Sequence, residues 1–162
     1  MGTRCEIYIR NGGTVVGLWK MYDGYPEFMV PMLEGFLRYA VECFRGQPHL
    51  ATYPEDLAAL LIWWYREFEE EERKKRGLKE GVNCDVRPLF DVMGRKVIGD
   101  AEYVYVINVV VVKGQGLRYE IQGYKLAAWT GLDGDGVREL VDTGGLTGDK
   151  YIPVCSKVLF FK

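Results

Sequence analysis

The chain opens with two apolar-rich runs, residues 4–10 and 14–22, that an Asn-Gly-Gly tripeptide separates. In the first run apolar side chains alternate with polar or aromatic ones, which is the period of a half-buried β-strand. Asn11 and Gly12 both tolerate the positive φ that a type I′ turn requires. We therefore predict an antiparallel hairpin with Asn11 and Gly12 in its turn.

Apolar side chains then recur every three or four residues in two further segments, which predicts two consecutive amphipathic helices. The apolar positions are Met29, Met32, Leu33, Phe36, Leu37, Ala40 and Phe44 in the first segment and Leu57, Leu60, Leu61, Trp64 and Phe68 in the second. Because proline lacks the N–H that a helix interior needs, we expect the first helix to begin near Val30, with Pro31 in its first turn. Gly46 is expected to end this helix.

The second helix carries sequence signals at both of its ends. Thr52 and Glu55 have the spacing of a capping box, which predicts that the helix begins there. Residues 69–76 read EEEERKKR, so that each Glu precedes a Lys or Arg by four residues. With a stop at Gly77, these pairs indicate a solvated helix end, since the acidic side chains cancel the field that a nucleic-acid-binding patch would need.

The glycine-rich connection at residues 77–101 has no clear periodicity, and we expect one short strand in it at residues 96–98. Residues 103–112 are almost continuous in Val, Ile and Tyr, which is typical of a central strand covered on both faces. Residues 117–122 alternate, which predicts a partner strand with one solvent-exposed face. Residues 124–129 either extend this strand or begin another.

Two more strands are expected at residues 137–141 and 152–161, and Pro153 favours an edge position or a strand start because it cannot donate to a ladder. The chain thus has two strands, two helices, a connector and a final run of strands. We predict an α+β fold, with two consecutive helices packed on a mainly antiparallel β-sheet. No internal repeat or interdomain linker is visible, so residues 1–162 are expected to form a single domain.

Composition excludes several functional classes. With 48% hydrophobic and 27% charged residues in a chain of 162, general disorder is excluded. The 21 basic side chains nearly balance the 23 acidic ones, which excludes binding to nucleic acid or an acidic membrane by bulk charge. A single histidine, His49, and a single serine, Ser156, leave one pair for a Ser-His triad. Other proton chemistry would rest on Asp, Glu, Tyr or Lys.

The expected location is the cytoplasm, without membrane contact, because the N-terminus lacks an apolar signal core and no apolar run is long enough to span a bilayer. Scarce Ser, Asn and Gln beside abundant Glu, Lys and Arg favour a thermophilic source, archaeal or from an archaeal virus. The cysteines lack the close spacing of a zinc site and are interpreted as buried free thiols: Cys5, Cys43, Cys84 and Cys155. In a thermophile a disulfide that involves Cys5 or Cys155 stays an open alternative.

The loop at residues 23–27 is the candidate active site, because it brings two carboxylates and a phenol to a junction between a strand and a helix. Asp23 and Glu27 would serve as acid and base, and Tyr25 as an orienting donor. The same residue types also satisfy a turn alone, since Asp and Gly favour turns and Glu27 lies near a helix N-terminus.

Three features of the N-terminal part occur together: the opening M-G-T-R, the Asn-Gly-Gly hairpin, and D-G-Y-P at residues 23–26. In these features the chain resembles an uncharacterised family of small prokaryotic and viral proteins. The resemblance covers roughly residues 1–30, and a weaker similarity occurs at residues 103–106. Family members often carry a His-Trp or similar pair before D-G-Y-P, whereas this chain has Met21 and Tyr22. The resemblance implies a shared fold and a shared site around Asp23, without a histidine-dependent role.

No metal and no cofactor is expected. The Asp- and Gly-rich residues 132–136 invite a calcium interpretation, but Val137 and Gly144 stand where an EF-hand loop needs further ligands. The glycines at residues 12–13 and 114–116 join strands, and neither group opens a helix with a lysine at the spacing of a nucleotide-binding loop.

The chain is rich in aromatic side chains, with 11 Tyr, 4 Trp and 7 Phe. Tyr103 and Tyr105 share one face of a predicted strand, and Tyr119 lies on the next strand beside Arg118. Aromatic side chains next to basic ones can stack unpaired bases, so these four residues are candidate ligand-binding residues. Packing in a core or a protein interface explains the same aromatics without a ligand, and no RNA-recognition motif accompanies them.

These patterns favour a non-enzymatic binding or assembly module that forms homo-oligomers or binds a protein partner, because aromatic and Val-rich strands coincide with scarce catalytic residue types. The first alternative is a carboxylate-dependent hydrolase that uses the loop at residues 23–27. The second is a binder of single-stranded nucleic acid through the sheet aromatics, although nucleic acid is not the expected partner.

Overall fold

A computed structural model of the chain describes residues 3–77, 85–90, 92–95, 101–127 and 151–162. The strands are β1 (Cys5–Asn11), β2 (Thr14–Lys20), β3 (Val86–Pro88), β4 (Tyr103–Val112), β5 (Gly116–Leu126) and β6 (Tyr151–Phe161). The helices are α1 (Pro26–Cys43) and α2 (Pro54–Lys75), with a short 3-10 helix at Pro48–Thr52 between them. The strands form one sheet in the order β3-β2-β1-β4-β5-β6.

The sheet is mainly antiparallel, since only the neighbours β1 and β4 among the described strands run parallel. The two helices follow each other between β2 and β3 and pack on the sheet, α2 over β1 and β2 and α1 over β5 and β6. The predicted α+β fold is thereby confirmed. No helix in the described ranges is both long and apolar enough to cross a membrane.

The main core lies between the helices and the sheet, and its apolar cluster includes inward-facing strand residues such as Ile7 and Ile107 together with Leu33 and Phe36 of α1. This face of the sheet is the helix-covered face. A smaller apolar cluster, on the opposite face, gathers strand and loop residues: Tyr8, Val15, Trp19, Leu89, Val104, Val106 and Tyr151. Residues 104–107 of β4 are buried one after another because they are covered from both sides, as the nearly continuous Val, Ile and Tyr pattern predicted.

The first hairpin forms as predicted, but its turn is different. Asn11 pairs with Thr14 at the end of the ladder, so the two-residue loop consists of Gly12 and Gly13, with Gly12 at φ +58°. The prediction that Asn11 lies in the turn is wrong, because glycine takes the positive φ at no steric cost. The Asn11 side chain instead donates to the carbonyl of Thr52 at 2.7 Å, which ties the hairpin to the start of α2.

α1 begins at Pro26 and ends at Cys43, so the predictions of a start near Val30 and an end at Gly46 are wrong. Pro26 takes the first helical position, where its missing N–H is harmless. Pro31 therefore lies inside the helix and leaves the carbonyl of Glu27 without its usual N–H donor. Pro31 is exposed, so water can hydrate that carbonyl.

The predicted capping box of α2 is also wrong. The hydroxyl of Thr52 donates to the carbonyl of His49 at 2.6 Å, and the N-cap residue, Tyr53, makes no capping side-chain bond. Pro54 at the first helical position supplies the pre-set φ that starts the helix. The end is as predicted, since Gly77 follows the last turn at φ +68°, while Lys75 lies 3.5 Å from Glu72, three residues back instead of the predicted four.

The structure tests some of the strand predictions, and the others fall outside the described residues. β5 continues to Leu126, so the segment after residue 122 extends this strand. Among the described strands β6 lies at the edge of the sheet, one of the two positions that Pro153 favoured, and β3 is a short strand that the sequence pattern did not predict. The strands expected at residues 96–98 and 137–141 and the rejected calcium loop lie outside the described residues. Cys5, Cys43 and Cys155 are free thiols; Cys5 is buried as predicted, Cys155 is half-buried, and the prediction that Cys43 is buried is wrong because its side chain is exposed, while Cys84 lies outside the described residues.

Candidate functional site

The loop between β2 and α1 is held in place by its glycine. Asp23 takes a φ of +55°, a left-handed conformation that few residues other than glycine adopt. Gly24 is buried, and its N–H donates to the carbonyl of Thr3 at 2.9 Å. Its own carbonyl accepts a hydrogen bond of 2.6 Å from the hydroxyl of Tyr105 on β4. The loop is therefore fastened to the segment before β1 and to β4, next to Asp23.

Asp23 lies on a pocket of about 300 Å³ between this loop, α2 and the start of β3. The residues that line it are Tyr22, Asp23, Phe28, Tyr65, Phe68, Glu69, Glu72, Arg73, Arg76 and Asp85. The lining therefore combines four carboxylates, two guanidinium groups, two phenols and two phenylalanine rings. We call this cavity the Asp23 pocket.

One of the carboxylates that line the Asp23 pocket, that of Asp85, belongs to a buried ion pair with Lys20. Nζ of Lys20 lies 2.8 Å from Oδ2 of Asp85, and the two side chains are 0% and 2% exposed. Oδ1 of Asp85 accepts backbone hydrogen bonds of 2.9 Å from Met21 and 3.2 Å from Tyr22. The ammonium also donates to the carbonyl of Tyr22. Asp85 thus fixes the first residues of the loop to β3.

Two aromatic rings enclose the Lys20 ammonium. Nζ lies 5.0 Å from the centre of the Phe28 ring and 4.9 Å from that of Tyr65, which is the distance of a cation–π contact. The charge of Lys20 is therefore matched by Asp85, by a carbonyl and by two ring faces. A buried cation with this complete a set of partners stabilises the fold, provided that none of the partners is removed.

The pKa values of two phenols in and beside the pocket, Tyr65 and Tyr25, are raised. Burial raises the pKa of Tyr65 well above the usual value for a phenol, and the nearby carboxylates of Asp85, Glu69 and Asp23 raise it further. The pKa of Tyr25 is raised chiefly by the charge of Asp23 beside it. Both hydroxyls are hydrogen-bond donors at neutral pH, and neither is a base.

The three candidate catalytic residues are divided between two environments. Asp23 lies on the pocket, and the Tyr25 ring packs edge-to-face on Phe28 of the pocket wall at 6.4 Å. Glu27 is exposed on the first turn of α1 and is not among the residues that line the pocket. The structure therefore brings Asp23 and Tyr25 together near the pocket and leaves Glu27 outside it.

Sequence reasoning missed Lys20, Tyr65 and Asp85. Lys20 had a readable signal, because it shares a strand face with Leu18, where an apolar side chain is expected. Tyr65 and Asp85 had none, since Tyr65 fits an ordinary amphipathic helix and Asp85 follows a segment without periodicity. Among the described residues, no three His, Cys, Asp or Glu side chains are placed to hold a metal ion.

The candidate ligand-binding residues lie on both faces of the sheet. Tyr105 and Tyr119 are fully buried on the helix-covered face, and the Tyr119 hydroxyl donates to the carbonyl of Ala51 at 2.5 Å. Tyr103 is half-buried and stacks on Tyr105 at 6.4 Å. Arg118 lies on the opposite face, 3.0 Å from Glu120. A base could stack on Tyr105 or Tyr119 only if the helices were displaced.

Stability should fall at high pH because three tyrosines are buried. Burial raises the pKa of Tyr65, Tyr105 and Tyr119, so the folded state holds these protons more tightly than the unfolded state. Their contribution is fully present below about pH 10, where unfolded phenols ionise, and is lost above it by up to about 1.4 kcal/mol per pH unit for each tyrosine. Urea unfolding of the wild type and Tyr119→Phe between pH 8 and 11 measures this. The variant should lose less stability per pH unit, and equal slopes would contradict the assignment.

The outer edge of β6 is the second candidate site. This strand is eleven residues long and pairs with β5 on one side, and no other described strand pairs with it on the other. Four of its apolar side chains are largely in solvent: Ile152 is 48% exposed, Val154 43%, Val158 45% and Phe160 72%. A β-bulge lies opposite Gly123 and Tyr124, beside Pro153 and Val154.

The opposite edge of the sheet is built differently. β3 has only three residues, and Arg87 and Pro88 of this strand are exposed. Short length, a charged side chain and proline are the usual devices that prevent an edge from pairing with another chain. β6 has a proline near its start and Lys157 at its middle, but it otherwise presents valine and phenylalanine. The two edges therefore differ in their capacity to accept a further strand.

Comparisons with protein-family models, with curated proteins and with solved structures find no match to this chain. The geometry of the Asp23 pocket and of the β6 edge is thus the basis on which a function is inferred.

Proposed function

We propose that this protein is a non-enzymatic assembly module that forms homo-oligomers through the outer edge of β6. The observation that carries the proposal is the long edge strand with Ile152, Val154, Val158 and Phe160 exposed to solvent. The outer edge carries backbone N–H and C=O groups that the β5 ladder does not use, and a further strand satisfies them. The same pairing removes the apolar side chains from water, which supplies the driving force.

The Asp23 pocket supports a second, weaker candidate, the carboxylate-dependent hydrolase. Asp23 lies on a pocket, as a catalytic carboxylate should. Asp85, another of the four carboxylates that line the pocket, already accepts hydrogen bonds from Lys20 and from two backbone N–H groups. Glu27, the predicted second carboxylate, lies outside the pocket. We therefore rank this function below assembly, because Asp23 lacks a free acid or base partner in the positions predicted for one.

The proposal predicts a mass in solution that is a multiple of 18.6 kDa. Placing two charges on the edge, by Val154→Lys together with Val158→Lys, should return the mass to that of one chain, since like charges and lost apolar contact both oppose pairing. Light scattering coupled to size exclusion, at several protein concentrations, measures both.

Val111→Lys is the matched control, because Val111 is an exposed valine of β4, 59% in solvent, and lies away from the β6 edge. This variant should keep the wild-type mass. A wild-type mass of one chain at every concentration would refute the proposal. An unchanged mass in the doubly charged variant, with circular dichroism that shows an intact fold, would refute it as well.

A further inference from the structure

A second cavity, of about 500 Å³, lies at the end of the sheet where a turn joins β4 to β5. Its walls come from the last turn of α1 at Val41, from the 3-10 helix at Ala51, and from Leu117 of β5 and Phe161 of β6. We call this cavity the β4–β5 pocket. Its volume falls within the roughly 300–1,000 Å³ of sites that hold small molecules.

The apolar wall of the β4–β5 pocket continues the main core beyond its fully buried part. Tyr119 and Leu159 lie opposite each other on β5 and β6 and are 0% and 3% exposed. Two residues further along, Leu117 and Phe161 form a pair on the same face of the sheet, and both are only half-buried. An apolar ligand in the pocket would therefore cover side chains of the core face that the helices leave partly in solvent, which favours binding.

The walls of the pocket are held in place without a ligand. The Tyr119 hydroxyl donates to the carbonyl of Ala51, which ties the 3-10 helix to β5. The Phe161 ring packs edge-to-face on Tyr119, with 5.9 Å between the ring centres. Gly116, at φ +98°, lets the end of β6 come close to the turn, because a Cβ at this position would overlap the carbonyl oxygen of Phe161. A ligand would thus meet preformed walls, which lowers the entropic cost of binding.

The polar side chains of the β4–β5 pocket are basic or uncharged. Two exposed lysines, Lys113 and Lys162, line it together with His49 and Thr52. None of the described residues that line it is acidic, and neither lysine forms an ion pair with a described residue. In the Asp23 pocket, by contrast, two guanidinium groups lie among four carboxylates. A cleft with apolar walls and charges of one sign concentrates ligands of the opposite sign, so the β4–β5 pocket favours an anion.

We infer that the β4–β5 pocket binds a small anionic amphiphile, with its apolar tail against Leu117 and Phe161 and its acidic head group at Lys113 and Lys162. Aliphatic walls argue against a nucleotide, because buried ribose and base groups would lack hydrogen-bond partners. The inference goes beyond the proposed assembly function and does not depend on it. The exposed apolar side chains of the β6 edge do not line this pocket.

Two probes with the same tail and opposite head groups, decanoate and decylammonium, test the inference by isothermal titration calorimetry. Both head groups are charged at neutral pH. Below its micellar concentration decanoate should bind saturably at one site per chain, and decylammonium about tenfold or more weakly, since the lysines attract one head group and repel the other. Each methylene removed, as in nonanoate and octanoate, should weaken binding about fourfold because less apolar surface is buried.

Reversing the charge of the pocket locates the site. Lys113→Glu together with Lys162→Glu should weaken decanoate binding about tenfold or more and should strengthen decylammonium binding. Lys125→Glu is the matched control, because Lys125 is an exposed lysine at the other end of β5 and does not line the pocket. This variant should bind decanoate as the wild type does. Circular dichroism checks that both variants are folded.

Several outcomes would overturn the inference: no saturable binding of decanoate, equal affinity for the two head groups, or an affinity that does not depend on tail length. Unchanged decanoate binding in the doubly substituted variant, or an equal loss in Lys125→Glu, would overturn it as well. If the doubly substituted variant fails to fold, the head-group and tail-length series on the wild type still decide. The mass in solution tests the assembly function separately.

Discussion

Replacing Lys20 by methionine should destabilise the folded chain by about 3–5 kcal/mol, because it leaves the buried carboxylate of Asp85 without its counter-ion. The ion pair is 2.8 Å long and its side chains are almost completely buried. Methionine is one atom shorter than lysine but keeps an unbranched apolar chain beside the rings of Phe28 and Tyr65, so the loss chiefly reports the charge and its contacts. Urea unfolding at one fixed protein concentration measures it, since self-association would add to the apparent stability.

Arg38→Met is the matched control for this prediction. Arg38 pairs with Glu34 at 3.0 Å, but its side chain is 58% exposed, and exposed pairs contribute about 0–1 kcal/mol. The double variant Lys20→Met with Asp85→Leu should recover part of the loss, since no charge is left unpaired. It should not recover all, because the N–H groups of Met21 and Tyr22 lose their acceptor. A loss below about 1 kcal/mol in Lys20→Met would contradict the structural role of the pair.

Gly24→Ala should cost about 1–3 kcal/mol or more, since it inserts a methyl group where backbone atoms leave no room. A Cβ at this position would lie 2.9 Å from the carbonyl carbon of Arg4, from Cβ of Cys5 and from the carbonyl oxygen of Thr3. These atoms belong to β1 and the residue pair before it, so relief requires a shift of the strand or of the loop. The shift would also disturb the 2.6 Å bond from Tyr105 to the Gly24 carbonyl.

Gly46→Ala serves as the control for Gly24→Ala, because Gly46 is exposed and nothing lies within 4 Å of its Cβ position. Neither glycine takes a positive φ, so both substitutions are free of backbone strain and differ in the space available. Thermal or urea unfolding should separate the two variants clearly. Equal stabilities would show that the loop does not depend on the close approach of Gly24 to β1.

The two candidate sites differ in whether their buried or apolar groups already have partners. The Asp23 pocket is lined by charged side chains, and Asp85 among them pairs with Lys20. This ion pair fixes the loop before α1 to β3. The β6 edge carries exposed apolar side chains and has no described strand on its outer side. A matched buried network stabilises a fold without requiring a partner, whereas an exposed apolar edge gains free energy only when something covers it. This contrast is why assembly is the function that we propose.

Local patterns predicted the elements whose signal is periodic. Alternation identified β1 and β5, three- and four-residue spacing identified both helices, and the continuous Val and Ile of β4 identified the central strand. Pro153 favoured the edge position that β6 takes among the described strands. The predicted element boundaries were wrong where contacts between distant residues set them. α1 starts at Pro26 because the hydrogen bond between Gly24 and Tyr105 fixes the preceding loop. Asn11 stays out of the turn and instead bonds to Thr52, forty-one residues away.

The sequence by itself determined the α+β class and placed the pair of helices between the first hairpin and the later strands, because hydrophobic periodicity is a property of neighbouring residues. Only the tertiary structure decided that β1 lies beside β4, that Lys20 meets Asp85, and that Tyr105 and Tyr119 lie beneath helices. These facts depend on pairs of residues far apart in the chain. These residues come into contact only after the sheet has formed, so a local sequence pattern does not predict the contacts.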